Sequence, residues 1–355
     1  MKFTIDSKPL KDALTLAQKA ITSRSTLPVL SCVLIEASKG CITITSDDLE
    51  VRITQTLEAK VESAGGACIP AKQLIAAIHD EQTEVILVEG KIHIKSGAHT
   101  KLGFQEAKEF PQRKCLKPTH KVDLEVFTSG LKQVAGSTSY DETRYNLCGV
   151  HLSPTSEGDN MVGCDGRIMS YIKDSPVGFE LEQSIIIPNS VVALITGCFA
   201  GREGALIVAT DLEIALSAEG VTMNAKLISA VYPNWRQIAP QVSDSPVKVE
   251  VWLLKEAIQS VSAFSVTEQK VEIKPEKEVW NITASNQESS SSMEIPVKGE
   301  VEGESFLIAG TLLLKILKGW PNDELLVSRS DANSPIALSN PSFPIQAVLM
   351  PMRKV

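Results

Sequence analysis

Phe3-Thr4-Ile5 runs into Leu10-Lys11-Asp12-Ala13-Leu14, Val122-Asp123-Leu124-Glu125-Val126 into Leu131-Lys132-Gln133-Val134, and Val247-Lys248-Val249-Glu250-Val251 into Leu254-Lys255-Glu256-Ala257-Ile258. All three stretches share one grammar, an alternating strand leading directly into an amphipathic helix. The Leu-Lys pairs begin at 10, 131 and 254, giving spacings of 121 and 123 residues. A second marker lies halfway through each unit. Ile69-Pro70-Ala71-Lys72-Gln73-Leu74, Ile187-Pro188-Asn189-Ser190-Val191-Val192 and Ile308-Ala309-Gly310-Thr311-Leu312-Leu313 each read as strand end, turn and helix, with isoleucines 118 and 121 apart. Two independent markers with one period define an internal repeat. The chain therefore reads as three domains, 1–118, 119–243 and 244–355, each made of two strand-rich halves carrying one helix apiece.

Between the helices the pattern has period two, as half-buried antiparallel strands require. Cys41-Ile42-Thr43-Ile44-Thr45, Lys91-Ile92-His93-Ile94-Lys95 and Lys270-Val271-Glu272-Ile273-Lys274 all alternate, and Ser38-Lys39-Gly40, Glu89-Gly90, Ser156-Glu157-Gly158-Asp159 and Asn340-Pro341 supply turns. Dense strands with a few short helices predict an α+β fold in which sheets are covered on one face by helices. Boundaries are expected near Lys114–Lys121 and Pro240–Pro246, and the serine run 289–292 reads as a loop.

Composition narrows the class. The 355 residues are 43% apolar and 22% charged, a globular balance. No apolar run approaches 18 residues and the N-terminus has no signal-peptide core, so a cytoplasmic chain without a membrane span is expected. Seven scattered cysteines without a Cys-x-x-Cys pair read as reduced, mostly buried thiols. The net charge of −8 argues against a protein coating nucleic acid indiscriminately.

Nor does a catalytic constellation emerge. The phosphate-loop, dinucleotide, zinc-protease and nucleophile-elbow signatures are all missing. Ser129-Gly130-Leu131-Lys132 matches Ser-x-x-Lys, but its lysine recurs as Lys11 and Lys255 without the serine. The five histidines (79, 93, 99, 120, 151) read as surface or strand-edge residues, and Asp47-Asp48 and Asp141-Glu142 as solvated turns. Neither a metal nor a cofactor is expected. Positive charge, by contrast, has a pattern. The six repeat-helix windows (8–20, 71–79, 127–139, 189–199, 252–264, 311–320) hold eight lysines and two acids, +6, which leaves −14 for the rest. Helices lining one common surface would make it basic inside an acidic exterior, suited to phosphates without base readout.

These residues resemble the bacterial DNA polymerase III beta-subunit family of sliding clamps. The likeness covers the whole chain and is carried by Met1-Lys2-Phe3-Thr4, Arg24-Ser25-Thr26-Leu27-Pro28-Val29-Leu30, Asp48-Leu49-Glu50, Arg144-Tyr145-Asn146-Leu147-Cys148-Gly149-Val150, Asp165-Gly166-Arg167, Tyr232-Pro233-Asn234-Trp235 and the terminal Val348-Leu349-Met350-Pro351-Met352-Arg353. The resemblance implies a non-catalytic head-to-tail homodimer, a ring of six similar domains around duplex DNA. It also implies a pocket for short Gln-Leu-x-Leu-Phe-like peptides of the polymerase alpha subunit, clamp loader and other factors. Leu147, Gly166, Arg167, Met169, Pro233, Ile238, Val348, Leu349, Met350, Pro351, Met352 and Arg353 would line it, their flexible methionines adapting to several partners. Arg24 falls where the family places a DNA-contacting loop arginine; Lys8, Lys11, Lys72, Lys132, Lys255, Lys315 and Lys318 complete the DNA-facing set.

The chain departs from the family pattern at several points. Arg167-Ile168-Met169 follows Asp165-Gly166 where His-Arg-Leu is common, Gln237 stands for a second arginine, and Leu312 aligns with a rim tyrosine. Asp141 and Asn146 replace residues that often touch DNA, and the third domain matches poorly between Val266 and Val301. Two other readings compete: a metal-dependent nucleic-acid enzyme using Asp141, Arg144 and Asp165, and a divergent clamp copy with reduced partner binding.

Overall fold

A computed structural model describes residues 1–22, 27–155, 158–175, 181–239, 245–265, 269–299, 303–331 and 333–353. Its helices are α1 (Ser7–Ala17), α2 (Ala71–Ala76), α3 (Leu124–Ala135), α4 (Asn189–Cys198), α5 (Val251–Ser262) and α6 (Gly310–Leu317). Each follows a strand, as at Lys2–Asp6 before α1 and Phe306–Ala309 before α6. Helix α1 buries Leu10, Ala13, Leu14 and Ala17 along one stripe and leaves Lys8, Lys11 and Asp12 in solvent. Pro9 is accommodated because it sits in the first turn, where N–H groups have no helical partner anyway.

Two boundaries differ from the sequence reading. The segment 122–126 is not a strand: the strand His120–Lys121 ends first and α3 begins at Leu124. Leu124, Phe127, Leu131 and Val134 are all buried, so helical spacing outweighs the short alternation of Val122, Leu124 and Val126. The serine run is not a loop but the start of strand Ser290–Pro296, paired in register with Val279–Ser285. It lies at a sheet edge, where backbone bonds form the ladder and polar side chains on both faces are tolerated.

The chain forms two compact units. One comprises Met1–Leu124 with Gly197–Leu227, the other Glu125–Thr196 with Ile228–Val355. The first contains a five-stranded sheet centred on Gln82–Val88 and a nine-stranded sheet. The nine-stranded order is Gln105–Glu106, Gly65–Pro70, Cys32–Ser38, Cys41–Asp47, Val51–Glu58, Val221–Lys226, Glu213–Ala218, Leu206–Ala209, His120–Lys121. The second unit contains a four-stranded sheet and an eight-stranded one, ordered Ile185–Pro188, Gly149–Pro154, Asp159–Cys164, Ile168–Ser175, Phe343–Leu349, Ile336–Asn340, Glu324–Ser328, Val247–Glu250. Every neighbouring pair is antiparallel.

Among the described residues, eight strands of the two large sheets correspond in order, and only Gln105–Glu106 at the end of the first has no counterpart. Thr45 pairs with Thr54 and Asp47 with Arg52 in one; Val162 pairs with Tyr171 and Cys164 with Met169 in the other, a constant offset of 117 residues. The periodicity seen along the chain thus recurs as sheet register. In the first unit, Leu10, Leu14 and Leu74 from the helices pack with Val33, Ile35, Ile42 and Ile44 of the large sheet and Phe3, Val85 and Ile94 of the small one. Helices cover one face of each sheet, and the large sheet's opposite face carries the residues considered next. Among the described residues no helix is long and apolar enough to cross a membrane.

Candidate functional site

On the eight-stranded sheet, Val162, Met169, Tyr171 and Val348 form a buried apolar floor, and Trp235 packs on it from the one-turn helix Trp235–Gln237. The rings of Tyr171 and Trp235 lie 5.2 Å apart at 40°, and Arg236 stacks over the indole at 4.9 Å. Tyr171 Oη and Gln346 Oε1 are 2.6 Å apart, so the hydroxyl donates across two strands and fixes the ring. Alongside, Tyr232 stacks on His151 with centroids 4.3 Å apart and planes 3° from parallel. Burial pushes the His151 imidazole down to about 4 and the Tyr232 phenol far above its ordinary value. His151 is thus a buried neutral residue, not the surface histidine its position in the sequence suggested.

A tight turn forms one edge. Asp165 Oδ1 accepts the N–H groups of Arg167 and Ile168, both at 2.8 Å, while Gly166 adopts φ +88°, open to glycine without a Cβ penalty. Arg144 donates to the Asp165 carbonyl at 3.1 Å and approaches the Asp141 carboxylate at 3.5 Å. Asp141, Arg144 and Asp165 are therefore neighbours, but the Asp165 carboxylate closes its own turn and Asp141 caps Thr143. Among the described residues no group of three or more His, Cys, Asp or Glu side chains is placed to hold a metal.

The C-terminal segment divides by strand alternation. Val348 joins the floor beneath Trp235, whereas Leu349 points to the other face of the sheet among Leu254, Ile273, Phe306 and Leu313. Beyond the strand, Met350 donates its N–H to the Arg167 carbonyl at 3.0 Å and Met352 to that of Leu307 at 2.7 Å. Met350, Pro351, Met352 and Arg353 line a cavity of about 590 Å³ with Ser305, Phe306 and Leu307. Of the remaining expected lining residues, Leu147 is buried, Pro233 and Arg167 are exposed, and Ile238 is half exposed. The structure thus gathers Met169 and Val348 at one place and Met350–Arg353 at another. Residues the sequence reading left out of the lining are Tyr171 and Val162, whose signal lay in strand alternation, and Trp235, quoted in a motif but not assigned to the site.

The lysines fall on helices. In the first unit Lys8 and Lys11 lie on α1 and Lys72 on α2, all exposed. In the second, Lys132 belongs to α3, Lys255 to α5, Lys315 to α6 and Lys318 to its C-cap. Lys255 is half-buried, donates to Asn322 Oδ1 at 3.0 Å, and has its pKa lowered by desolvation. The ends of α3 and α6 meet at two glycines: a Cβ on Gly136 would stand 2.5 Å from the Lys315 carbonyl, and one on Gly319 2.7 Å from that of Lys132. That backbone approach groups Lys132, Lys315 and Lys318. Arg24 lies outside the described residues.

Two further corrections concern charge and thiols. Asp47 is not solvated. It is fully buried, its Oδ2 bonded to Arg52 Nε at 2.6 Å and 3.4 Å from Arg113 Nε. All seven cysteines are free thiols, but Cys32, Cys68 and Cys198 alone are buried; the other four are partly exposed.

Known proteins share this architecture. Residues 1–114 match the family model of the DNA polymerase III beta subunit, N-terminal domain. A beta sliding clamp of Synechococcus elongatus is 24% identical over 372 residues, spanning 99% of this chain and 98% of its own. The beta sliding clamp of Chlamydia pneumoniae is 26% identical over 370 residues, covering 99% of each chain. Among solved structures, the Pseudomonas aeruginosa sliding clamp bound to griselimycin superposes with a TM-score of 0.93 at 21% identity. The beta subunit from the DNA polymerase of Streptococcus pyogenes does so at 0.94 and 16%, both over 100% of either chain. Helix-covered antiparallel sheets repeated along the chain, a family match over residues 1–114 and end-to-end alignment with curated relatives converge: the chain has the fold of the bacterial beta sliding clamps and is similar to them over its whole length.

Proposed function

We propose that this chain is a DNA sliding clamp: a processivity factor with no catalysis of its own that encircles duplex DNA and tethers the replicative polymerase, clamp loader and other factors during strand elongation. Two copies, each of three successive domains (1–118, 119–243, 244–355), join head to tail in a ring. A closed ring cannot leave DNA sideways, so tight local contacts are unnecessary and would impede sliding. Helix lysines, including Lys8, Lys11, Lys72, Lys132, Lys255, Lys315 and Lys318, supply weak phosphate contacts through counterion exchange, independent of base sequence. Arg24, outside the described residues, is assigned the same role by its place in the sequence. The cytoplasm is where such a protein works.

Partner peptides bind through Leu and Phe anchors. The cavity of Met350, Pro351, Met352 and Arg353 is the surface for them, and the buried floor of Met169, Val348 and Trp235 supports the sheet face behind it. The observation that carries the reading is the alignment with beta sliding clamps over essentially the whole chain. Light scattering coupled to small-angle X-ray scattering at micromolar concentration tests it. Twice the chain's 38.4 kDa with a hollow-ring distance distribution is expected; a compact particle of a single chain's mass would overturn it.

A further inference from the structure

The nine-stranded sheet carries, on the face turned away from its helices, the counterpart of the Trp235 floor. Arg52 pairs with Asn224, where the other sheet pairs Met169 with Val348, and Thr54 pairs with Thr222, where the other pairs Tyr171 with Gln346. The covering segment is equivalent too: Phe110-Pro111 and Tyr232-Pro233 lie 122 residues apart, and Phe110 packs with Leu34 as Tyr232 stacks on His151. An apolar floor in one repeat has become hydroxyls, an amide and guanidinium groups in the other.

The result is a groove of about 600 Å³ along the 110–118 segment. Arg52 and Arg113 share one carboxylate, that of Asp47, so one positive charge is left over. Arg52 also donates to the Pro111 carbonyl, which fixes the segment against the sheet. Lys114 and Lys117 are exposed on the same wall and Glu36 is the groove's own acid, so the lining is net positive in a protein of net charge −8. Asn224 is 4% exposed and, among the described residues, its Oδ1 accepts no hydrogen bond. A buried acceptor of that kind calls for an N–H donor, which a simple anion lacks.

We propose that this groove is a second docking site, taking an acidic linear peptide. Glutamate or aspartate side chains face Lys114, Lys117 and the arginine pair, small residues lie over Thr45, Thr54 and Thr222, and a peptide N–H donates to Asn224 Oδ1. Such a peptide carries both the negative charge and the donors the lining requires. Charge complementarity makes its binding dependent on ionic strength and orthogonal to that of apolar-anchored motifs.

The test is fluorescence anisotropy with a fluorescein-labelled Glu-Ser repeat peptide, a Gln-Ser repeat of equal length and a Gln-Leu-x-Leu-Phe-like peptide, each titrated with full-length protein. Binding of the Glu-Ser peptide is expected to be at least about tenfold tighter than that of the Gln-Ser control, and to weaken by a similar factor in K114E/K117E. Thr54→Trp, which fills the groove without changing charge, should weaken it likewise. Both variants should retain the parent's circular dichroism and its affinity for the Leu-Phe motif peptide. Equal binding of the two repeat peptides, or indifference to both variants, overturns the proposal. So does citrate binding as tightly as the Glu-Ser peptide, which would mark a small-anion site. Acidic-peptide binding without motif-peptide binding would instead remove the partner pocket proposed above and leave this groove standing.

Discussion

His151 shows what burial does to a single side chain. Burial lowers its imidazole from the usual 6.5 to about 4, with Arg236 acting in the same direction and a backbone hydrogen bond at Ile185 opposing both. The folded state thus binds the proton less readily than the unfolded chain. No stability is lost above about pH 6.5, and stability falls as pH drops from there towards 4, by at most about 3 kcal/mol from this group. Replacing His151 with Phe, which keeps a ring against Tyr232, should flatten the melting temperature over that interval. Parallel pH profiles for variant and parent would refute the assignment. Leu49 offers a different case. It occupies the position equivalent to Gly166 and also has positive φ, +75°, while Asp48 Oδ1 accepts from Glu50 and Val51 as Asp165 does from Arg167 and Ile168. A leucine there costs about 1–2 kcal/mol of backbone strain. Leu49→Gly should therefore raise stability by about 0.5–1 kcal/mol in urea denaturation, after the greater flexibility of unfolded glycine is deducted; a loss would mean the turn is unstrained. The Asp48 turn was legible as a motif. The burial of adjacent Asp47 was not, because it depends on Arg113, remote in sequence.

At the scale of elements, helix positions were readable because apolar spacing along a helix is a local property. All six helices lie at the markers found in the repeat. Their packing was less visible. Nothing in the sequence marks Gly136 and Gly319, yet each faces a carbonyl of the other's helix at a separation no Cβ tolerates. Gly136→Ala should push α3 and α6 apart and cost about 1–3 kcal/mol. Denaturant unfolding would measure the loss, and a change below about 0.5 kcal/mol would show that the helix ends shift freely. Ser290–Pro296 illustrates the converse. Its serines signal a loop when only side chains are considered, but a neighbouring strand with unpaired backbone groups recruits the segment into the ladder.

For the whole molecule, the decisive prediction concerns the C-terminal segment. Its hydrogen bonds to Arg167 and Leu307 hold Met350–Arg353 in place, and removing residues 350–355 deletes one side of the cavity there. Loss of Leu-Phe motif binding is expected with dimer mass retained, measured by anisotropy and light scattering on the same sample. Undiminished peptide affinity would place the partner site elsewhere. The six helix windows carry +6 against −14 for the rest of the chain, an asymmetry read from the sequence alone.

Periodicity along the chain was enough to read the 120-residue repeat, the α+β class and most strand and helix positions, since these depend on order and spacing. Strand pairing is a different matter. Ile168–Ser175 lies beside Phe343–Leu349, and Val51–Glu58 beside Val221–Lys226, although their partners are more than a hundred residues away. That pairing puts Val348 beneath Trp235 and turns Leu349 into the core, buries Asp47 between two arginines, and gives two equivalent sheet faces opposite chemistry. Alternation specifies that neighbouring side chains face opposite ways. What each face meets is set by residues that become neighbours through long-range pairing, where burial and charge compensation are determined together.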